Sequence, residues 1–320
     1  MRYQVAQYSL RGGRKSNQDR VAYLERENSV LMIVADGLGG HKGGALAAET
    51  LVQVATRAFQ NIKHPVISRP SAFLALTIMQ AHRAIQVRGL AHIPPITPRT
   101  TCVMCLVQNG YAYWAHVGDS RLYHFRNKQV LKRTLDHTTI EQFHTDGLLS
   151  EEEMHTHPEK SHLLKCLGGG GKPSISLGAE TLLERNDVLL LCSDGLWEAF
   201  TPDELIAYLQ AKSLEETVEI MLHDAEDKMG SSCDNLSAAC LRWEDHIPAS
   251  MPLQSNNDVQ ADQQILWQQA QLHTAEKVLQ EKVAKGHAES TKPVAAKAKK
   301  KSLDSAIEEL ESFVKRYEPK

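Results

Sequence analysis

Residues 29–40, SVLMIVADGLGG, decide how this chain folds. The first seven residues form a nearly unbroken apolar run, which has the length and composition of a strand buried in a sheet. The run ends at Asp36 and Gly37, and a carboxylate at the end of a buried strand is costly unless something pairs with it. The stretch therefore predicts a buried strand. Packing alone does not explain the carboxylate of Asp36 at its end.

The sequence on either side of this strand predicts a folded part that ends near residue 245. Apolar residues at helical spacing predict helices at 43–60 and 71–88, and the capping residues Thr201 and Ser213 predict two more. The closely spaced strands after residue 100 favour an antiparallel meander. Residues 137–172 are polar and typical of a long surface excursion. The predicted strands are 2–10, 20–25, 29–35, 100–108, 111–117, 121–125, 128–133, 174–183, 187–192 and 234–243.

Four further aspartates lie beside predicted strands in the way that Asp36 does. Each of them, taken alone, is more typical of a turn residue than of a functional one. If all five met at one end of a sheet assembly, their charges would repel one another, and divalent cations would relieve that repulsion. Carboxylates, backbone carbonyls and water suit Mg²⁺ and Mn²⁺. The four further residues are Asp19, Asp119, Asp194 and Asp234.

Five short motifs, in this order along the chain, resemble the motif series of the type 2C (PPM) serine/threonine protein phosphatases. Each motif alone is weak, but five in order across about three quarters of the chain are specific. The sequence DGLGGH at 36–41 is similar to the form found in the bacterial branch of the family. The motifs are Arg14 with Asn17-Gln18-Asp19, Asp36-Gly37-Leu38-Gly39-Gly40-His41, Val117-Gly118-Asp119-Ser120-Arg121, Ser193-Asp194-Gly195-Leu196 and Asp234-Asn235-Leu236.

The resemblance implies an α+β fold, an α-β-β-α sandwich of two antiparallel sheets flanked by helices. It also implies a metal site at one edge of the sandwich. Asp36 resembles the ligand that bridges two metals, and Gly37 the residue that lends its carbonyl. Arg14 resembles the residue that grips the substrate phosphate, a role for which the planar guanidinium is suited. The remaining implied ligands are Asp194 and Asp234 for one of the two metals, Asp119 with Asp194 for a third ion, and Asp19 directly or through water.

The implied function is hydrolysis of phosphoserine and phosphothreonine in phosphoproteins by a metal-bridging hydroxide. The expected cofactors are two Mn²⁺ or Mg²⁺ ions with a third ion besides, and the expected substrates are phosphoproteins made by a serine/threonine kinase. The alternative is a catalytically silent module of the same shape that is recruited through its tail. All five aspartates are present, which favours the enzyme.

This sequence departs from the family pattern at three places. Gln18 stands where many members have Glu, which removes one negative charge. Leu38 stands where the eukaryotic branch has a His proposed as general acid, and leucine has no proton to donate. Water or another residue must then supply that proton, and the nearby His41 is more typical of a structural residue. The stretch 167–172 carries four glycines, which leaves the geometry of the flap region open.

Composition excludes several other classes of protein. The net charge of −3 over 320 residues does not suggest a nucleic-acid binder, and no apolar run is long enough to span a membrane. The N-terminus lacks the apolar run of a signal peptide, so we expect a cytoplasmic protein with reduced cysteines. Cys102 and Cys105 are three apart on a predicted strand and should point to opposite faces, as two small core residues.

The last part of the chain differs in character from the first 245 residues. Residues 246–262 are typical of a linker, and 263–320 form a charged, helix-prone tail. Apolar residues spaced by four and three predict an amphipathic helix at 303–317. Such a helix is marginal alone in water. Its apolar stripe could pack on a second copy of this chain, on another protein or on the catalytic domain, or the tail could stay solvated.

Overall fold

The structure is a computed structural model, and it describes residues 1–38, 43–150, 153, 157 and 163–245. The predicted linker at 246–262, the tail at 263–320 and its helix at 303–317 lie outside the described residues, as does His41. The boundary near residue 245 therefore stays a prediction.

The described part of the chain contains eleven strands and six α-helices. The strands are β1 (Tyr3–Leu10), β2 (Arg20–Arg26), β3 (Ser29–Ala35), β4 (Cys102–Gln108), β5 (Tyr111–Val117), β6 (Arg121–Arg126), β7 (Gln129–Arg133), β8 (Ser176–Leu177), β9 (Thr181–Leu182), β10 (Val188–Cys192) and β11 (Leu236–Trp243). The helices are α1 (Gly44–Gln60), α2 (Pro70–Ala91), α3 (Thr139–Thr145), α4 (Asp194–Ala199), α5 (Pro202–Tyr208) and α6 (Leu214–Met229).

The strands form two antiparallel sheets that pack face to face. One sheet has the order β1-β11-β10-β6-β7, and the other has the order β2-β3-β4-β5-β8, with β9 also paired to β5. Alternate residues of β3 show the layering. Leu31 and Ile33 face the core under α1 and α2, whereas Met32 and Val34 face the core between the sheets. Helices α4, α5 and α6 cover the outer face of the other sheet. The α-β-β-α sandwich is therefore confirmed.

The predicted meander between residues 100 and 133 is wrong in one respect. Strands β4 and β5 pair in one sheet, and β6 and β7 pair in the other, so the chain crosses between sheets after Val117. The crossing uses Gly118, whose φ of +108° favours glycine, and a side chain there would also collide with Thr101. Strand spacing alone does not reveal such a crossing, because both hairpins have the same alternation.

Several local predictions are confirmed. Thr201 and Glu204 form a capping box at the start of α5, and the Ser213 hydroxyl accepts the Glu216 N–H at the start of α6. Cys102 and Cys105 are buried free thiols in different cores, as their spacing predicts. The predicted strand at 174–183 is instead two short strands, β8 and β9, because Gly178 interrupts it. No helix in the described ranges is long and apolar enough to cross a membrane.

The strand registers bring one end of every long strand to the same edge of the sandwich. At this edge β3 ends and β4 begins, and β5 ends where the chain crosses to β6. In the other sheet, β1 and β10 end where β11 begins. The pairs that define the edge are Ala35 with Arg20, Val34 with Val103, Val117 with Cys102, Leu10 with Leu236, and Cys192 with Arg121 and Ala238.

Candidate metal centre

The five aspartates singled out in the sequence all lie at this edge of the sandwich, and we call the set the acidic edge. It comprises Asp19, Asp36, Asp119, Asp194 and Asp234. The charges of Asp19, Asp119, Asp194 and Asp234 all act on the carboxyl of Asp36. The convergence that the strand ends suggested is therefore present.

Asp36 directly follows β3, and the two threonines just before β4 hold its backbone. The Thr101 hydroxyl accepts the Asp36 N–H at 3.0 Å, and the Thr101 N–H donates to the Asp36 carbonyl at 2.8 Å. The Thr100 hydroxyl also donates to that carbonyl, at 2.7 Å. With its backbone fixed in this way, Asp36 presents a half-buried side chain to the edge.

Gly37 sits where the backbones of two segments come very close. A Cβ on Gly37 would lie 2.5 Å from the Gly44 carbonyl oxygen and 2.6 Å from the Gln18 carbonyl oxygen. Only glycine fits this position without moving backbone. The structure thus places the two predicted residues of the Asp36-Gly37 pair side by side at the edge.

Asp119 lies at the crossing between β5 and β6. Its carbonyl accepts the Trp197 indole N–H at 2.9 Å, and the neighbouring Gly118 N–H donates to His137 Nδ1 at 3.2 Å. The next residue, Ser120, shares a 2.6 Å hydrogen bond with the hydroxyl of Thr101, which also holds Asp36. One hydroxyl pair therefore links the backbones that carry Asp36 and Asp119.

Asp19 and Asp194 are linked through Ser193. The Ser193 hydroxyl donates to Asp19 Oδ2 at 2.7 Å and accepts the Ser237 N–H at 3.0 Å. Asp194, the next residue, is the first residue of α4 and is half-buried. The loop before β2 and the end of β10 are thereby held together at the site.

Arg14 and Asp234 form an ion pair at the outer rim of the edge. Arg14 Nη2 lies 2.5 Å from Asp234 Oδ2, with the Arg14 side chain 57 % exposed. This hydrogen bond, with the charge of Asp234, raises the pKa of Arg14 above its usual value. The guanidinium is therefore charged, largely open to solvent and next to the carboxylates.

Burial and mutual repulsion make four carboxylates of the acidic edge, those of Asp19, Asp36, Asp119 and Asp194, reluctant to ionise. Burial raises the pKa of Asp19 to about 6 despite the hydrogen bond from Ser193. Burial, with the charge of Asp136, raises the pKa of Asp119 to about 7. The pKa values of Asp36 and Asp194 lie well above the usual range because of burial and the neighbouring aspartates. A concentration of negative charge of this kind is what bound cations stabilise.

The donor atoms of the edge fit a hard divalent cation. Asp19 is 2 % exposed and Asp119 6 %, yet Oδ1 of each has no hydrogen-bond partner in the described part of the chain. Leaving such oxygens unpaired is costly. Across the described ranges, no three His, Cys, Asp or Glu side chains stand so that they alone could hold a metal ion. Mg²⁺ sites commonly use one or two carboxylates and complete their shell with water and substrate oxygens, so the edge suits such ions.

Some residues that hold the site were missed in the sequence. Ser193 and Asn235 adjoin motif aspartates, and this adjacency was the sequence signal that could have identified them. Thr101 and Trp197 gave none, because their roles depend on contacts between distant segments. Leu38 carries no titratable group, as the sequence indicates.

Comparison with known proteins finds matches over most of the chain. Residues 7–229 match the family described as Protein phosphatase 2C. Serine/threonine phosphatase stp of Listeria monocytogenes serotype 4b (strain F2365) is 29 % identical over 227 residues, which are 70 % of this chain and 89 % of that protein. The S. agalactiae serine/threonine phosphatase structure matches with a TM-score of 0.69 at 26 % identity, over 76 % of this chain and 100 % of that one.

A third relative was solved with metal. The catalytic domain of the serine/threonine protein phosphatase PstP, in complex with two manganese ions, has a TM-score of 0.65 to this chain at 24 % identity. The match covers 76 % of this chain and 99 % of that one. At this identity the likeness concerns the fold.

Proposed function

The chain belongs to the protein phosphatase 2C family and is a metal-dependent serine/threonine protein phosphatase, and from this premise we propose which of its residues carry the reaction. The observation that carries the proposal is the acidic edge itself. Five carboxylates from separate segments meet there, and two of them are almost fully buried with an oxygen that no described residue pairs with. A structural role alone would not explain such a costly arrangement.

We propose that the acidic edge holds the metal ions of the reaction. Asp36 and the Gly37 carbonyl would serve the two core ions, and Asp194 and Asp234 would serve one of them. Asp119 together with Asp194 would hold a third ion, and Asp19 would act directly or through water. Mn²⁺ or Mg²⁺ suits this all-oxygen set, and two manganese ions are present in the PstP structure. When bound, such ions lower the pKa of water and neutralise charge on the phosphoryl group.

Arg14 is the proposed substrate-phosphate residue. It is an exposed cation beside the carboxylates, and its planar donors match phosphate oxygens. Its ion pair with Asp234 engages an oxygen that a cation would also use. Cation binding at Asp234 would therefore free the guanidinium to turn toward the phosphate of a phosphoserine or phosphothreonine.

The proton for the leaving oxygen must come from a group other than Leu38. Water and His41 are the candidates that the sequence offers, and His41 lies outside the described residues. The silent-module alternative is not favoured, because each of the five carboxylates is present at the edge. Substrates made by a serine/threonine kinase, a partner or second copy bound through 303–317, and a cytoplasmic location are proposals that rest on the sequence.

The direct test of function is turnover of p-nitrophenyl phosphate by the full chain, with Mn²⁺ and with excess chelator. We expect turnover with Mn²⁺ and none after exhaustive metal removal. Phosphoserine and phosphothreonine peptides should then be hydrolysed in the same metal-dependent way, with the non-phosphorylated peptides as the control. Turnover that persists without metal would contradict the mechanism.

A further inference from the structure

Asn235 follows the proposed metal ligand Asp234, and its side chain is almost fully engaged. Asn235 is 6 % exposed, and its Oδ1 accepts the Gln18 N–H at 2.8 Å. Its Nδ2 donates to the Arg11 carbonyl at 2.7 Å and to the Ser16 carbonyl at 3.0 Å. Both amide donors and the amide oxygen are thus used on the backbone of one loop.

The loop in question, residues 11–19, joins β1 to β2 and carries Arg14 and Asp19. Most of its residues are exposed, and Arg14 itself has a long flexible side chain. A surface loop of this kind would be mobile unless its backbone were tied down. Besides the Arg14 ion pair, the Gly13 N–H donates to the Cys233 carbonyl at 3.0 Å, and the Asn17 amide donates to the Ser9 hydroxyl at 2.9 Å. At the end of the loop, the Ser193 hydroxyl donates to Asp19 at 2.7 Å. The three bonds of Asn235 add to these attachments, and they hold the backbone on both flanks of Arg14 from a single side chain.

The backbone of Asn235 is held from the opposite side. A Cβ on Gly195 would lie 2.3 Å from the Asn235 carbonyl oxygen, so the start of α4 packs directly on it. The Ser193 hydroxyl lies 3.4 Å from the same oxygen. Asn235 consequently stands between the turn that carries Asp194 and the loop that carries Arg14.

We propose that Asn235 is a positioning residue that sets the place of Arg14 relative to the acidic edge. Its side chain fixes the backbone on both sides of Arg14, at Arg11 and at Ser16, while its main chain is continuous with Asp234. The phosphate-binding arginine and the carboxylates thereby share one rigid frame. Preorganisation of this kind reduces the cost of binding substrate in the reactive geometry. The inference rests on the proposed role of Arg14.

A double-mutant cycle on the full chain with Mn²⁺ tests the inference. The variants are Arg14→Ala, Asn235→Ala and both together, measured as KM and kcat for a phosphothreonine peptide and as the inhibition constant of inorganic phosphate. We expect Arg14→Ala to raise KM about tenfold and Asn235→Ala roughly fivefold. If Asn235 acts through Arg14, the double variant should match Arg14→Ala alone. Mn²⁺ affinity should stay near the wild-type value in Asn235→Ala.

Gln4→Ala is the matched control. Gln4 lies at the far end of the same β1–β11 pair, and its amide also makes two hydrogen bonds, to Glu244 and from the Leu214 N–H. Its replacement should lower stability without changing KM or phosphate inhibition. Asn235→Asp is run beside Asn235→Ala in case the smaller residue prevents folding. It keeps the acceptor for Gln18 but cannot donate to the Arg11 and Ser16 carbonyls, so its KM should also rise.

The outcomes separate the inference from its premise. A KM that is unchanged in Arg14→Ala would remove Arg14 from substrate binding and the inference with it. In another outcome, Arg14→Ala raises KM and Asn235→Ala raises it by the same factor in the double variant as it does alone. That result would overturn the role of Asn235 and leave the role of Arg14 intact. An unchanged KM in a folded Asn235→Ala or Asn235→Asp protein would do the same.

Discussion

Buried carboxylates lie beyond both ends of β10, and the two sites differ in whether described residues pair with all their oxygens. Beyond its N-terminal end, Asp187 is 1 % exposed and accepts hydrogen bonds from His124, Arg126 and the Glu184 N–H. We call these four residues the paired cluster. Burial would raise the pKa of Asp187, but the bonds from Arg126 and His124 lower it below its usual value. At the other end, Asp19 is equally buried and its pKa is raised.

The difference shows how burial alone fails to identify a functional carboxylate. Asp187 has protein partners for both oxygens, so its charge is compensated within the fold. Asp19 and Asp119 each keep an oxygen without a partner in the described ranges, and their neighbours carry the same charge. The paired cluster thus supports the fold, whereas the acidic edge keeps carboxylate oxygens that no described residue pairs with. A site that binds a charged ligand is expected to cost stability in its absence.

The largest contrast is expected in turnover. Asp36→Asn should reduce p-nitrophenyl phosphate turnover by more than roughly 100-fold. Loss of a residue that only supports a metal ligand costs up to about 100-fold, and Asp36 is proposed to bind the metals directly. Asp187→Asn, the same chemical change in the paired cluster, should leave kcat near the wild-type value at a temperature where the variant is folded. Initial rates with saturating Mn²⁺ measure both. Near-normal turnover in Asp36→Asn would show that the bridging assignment is wrong.

A smaller loss is expected at the proposed third ion. Asp119→Ala should reduce turnover about tenfold and leave the two core ions bound, because only the ligands of the third ion are affected. Calorimetric titration with Mn²⁺ should give one ion fewer than in the wild type. An unchanged ion count would contradict the role of Asp119.

The resemblance of the motif series predicted the fold, and the strand ends predicted the membership of the acidic edge, but neither predicted what holds that edge together. Strand ends and the order of the motifs are local signals, and they pointed to Asp36 and its four companions. The crossing at Gly118 was missed because alternation does not say to which sheet a strand belongs. The contacts of Thr101 and Trp197 join segments far apart in sequence, so the residues themselves carry no local sign of them.

Substitutions in the acidic edge and in the paired cluster should also change the free energy of unfolding in opposite directions. In metal-free protein near pH 7, Asp36→Asn should increase the free energy of unfolding by about 1 kcal/mol, because it removes a charge that burial and its neighbours disfavour. Asp187→Asn should decrease it by about 3 kcal/mol, because it leaves the buried charges of its partners uncompensated. Urea unfolding monitored by tryptophan fluorescence gives both values. Destabilisation of equal size in both variants would contradict the contrast between the acidic edge and the paired cluster.

The smallest effect is expected from removing the tail. A chain of residues 1–246 should fold and turn over p-nitrophenyl phosphate at close to the full-length rate, since both groups lie before residue 245. Any self-association or partner binding of the full chain should be lost with 303–317. An unfolded or inactive truncation would place the tail within the catalytic fold.

Titration of the metal-stripped full chain with Mn²⁺ tests the central claim, that the acidic edge is completed by cations, most directly. Binding is followed by calorimetry and turnover of p-nitrophenyl phosphate in the same samples. We predict at least two bound ions per chain, turnover that rises with their occupancy, and loss of this binding in Asp36→Asn but not in Asp187→Asn. No binding to the wild type, or the same binding in Asp36→Asn, would contradict the account.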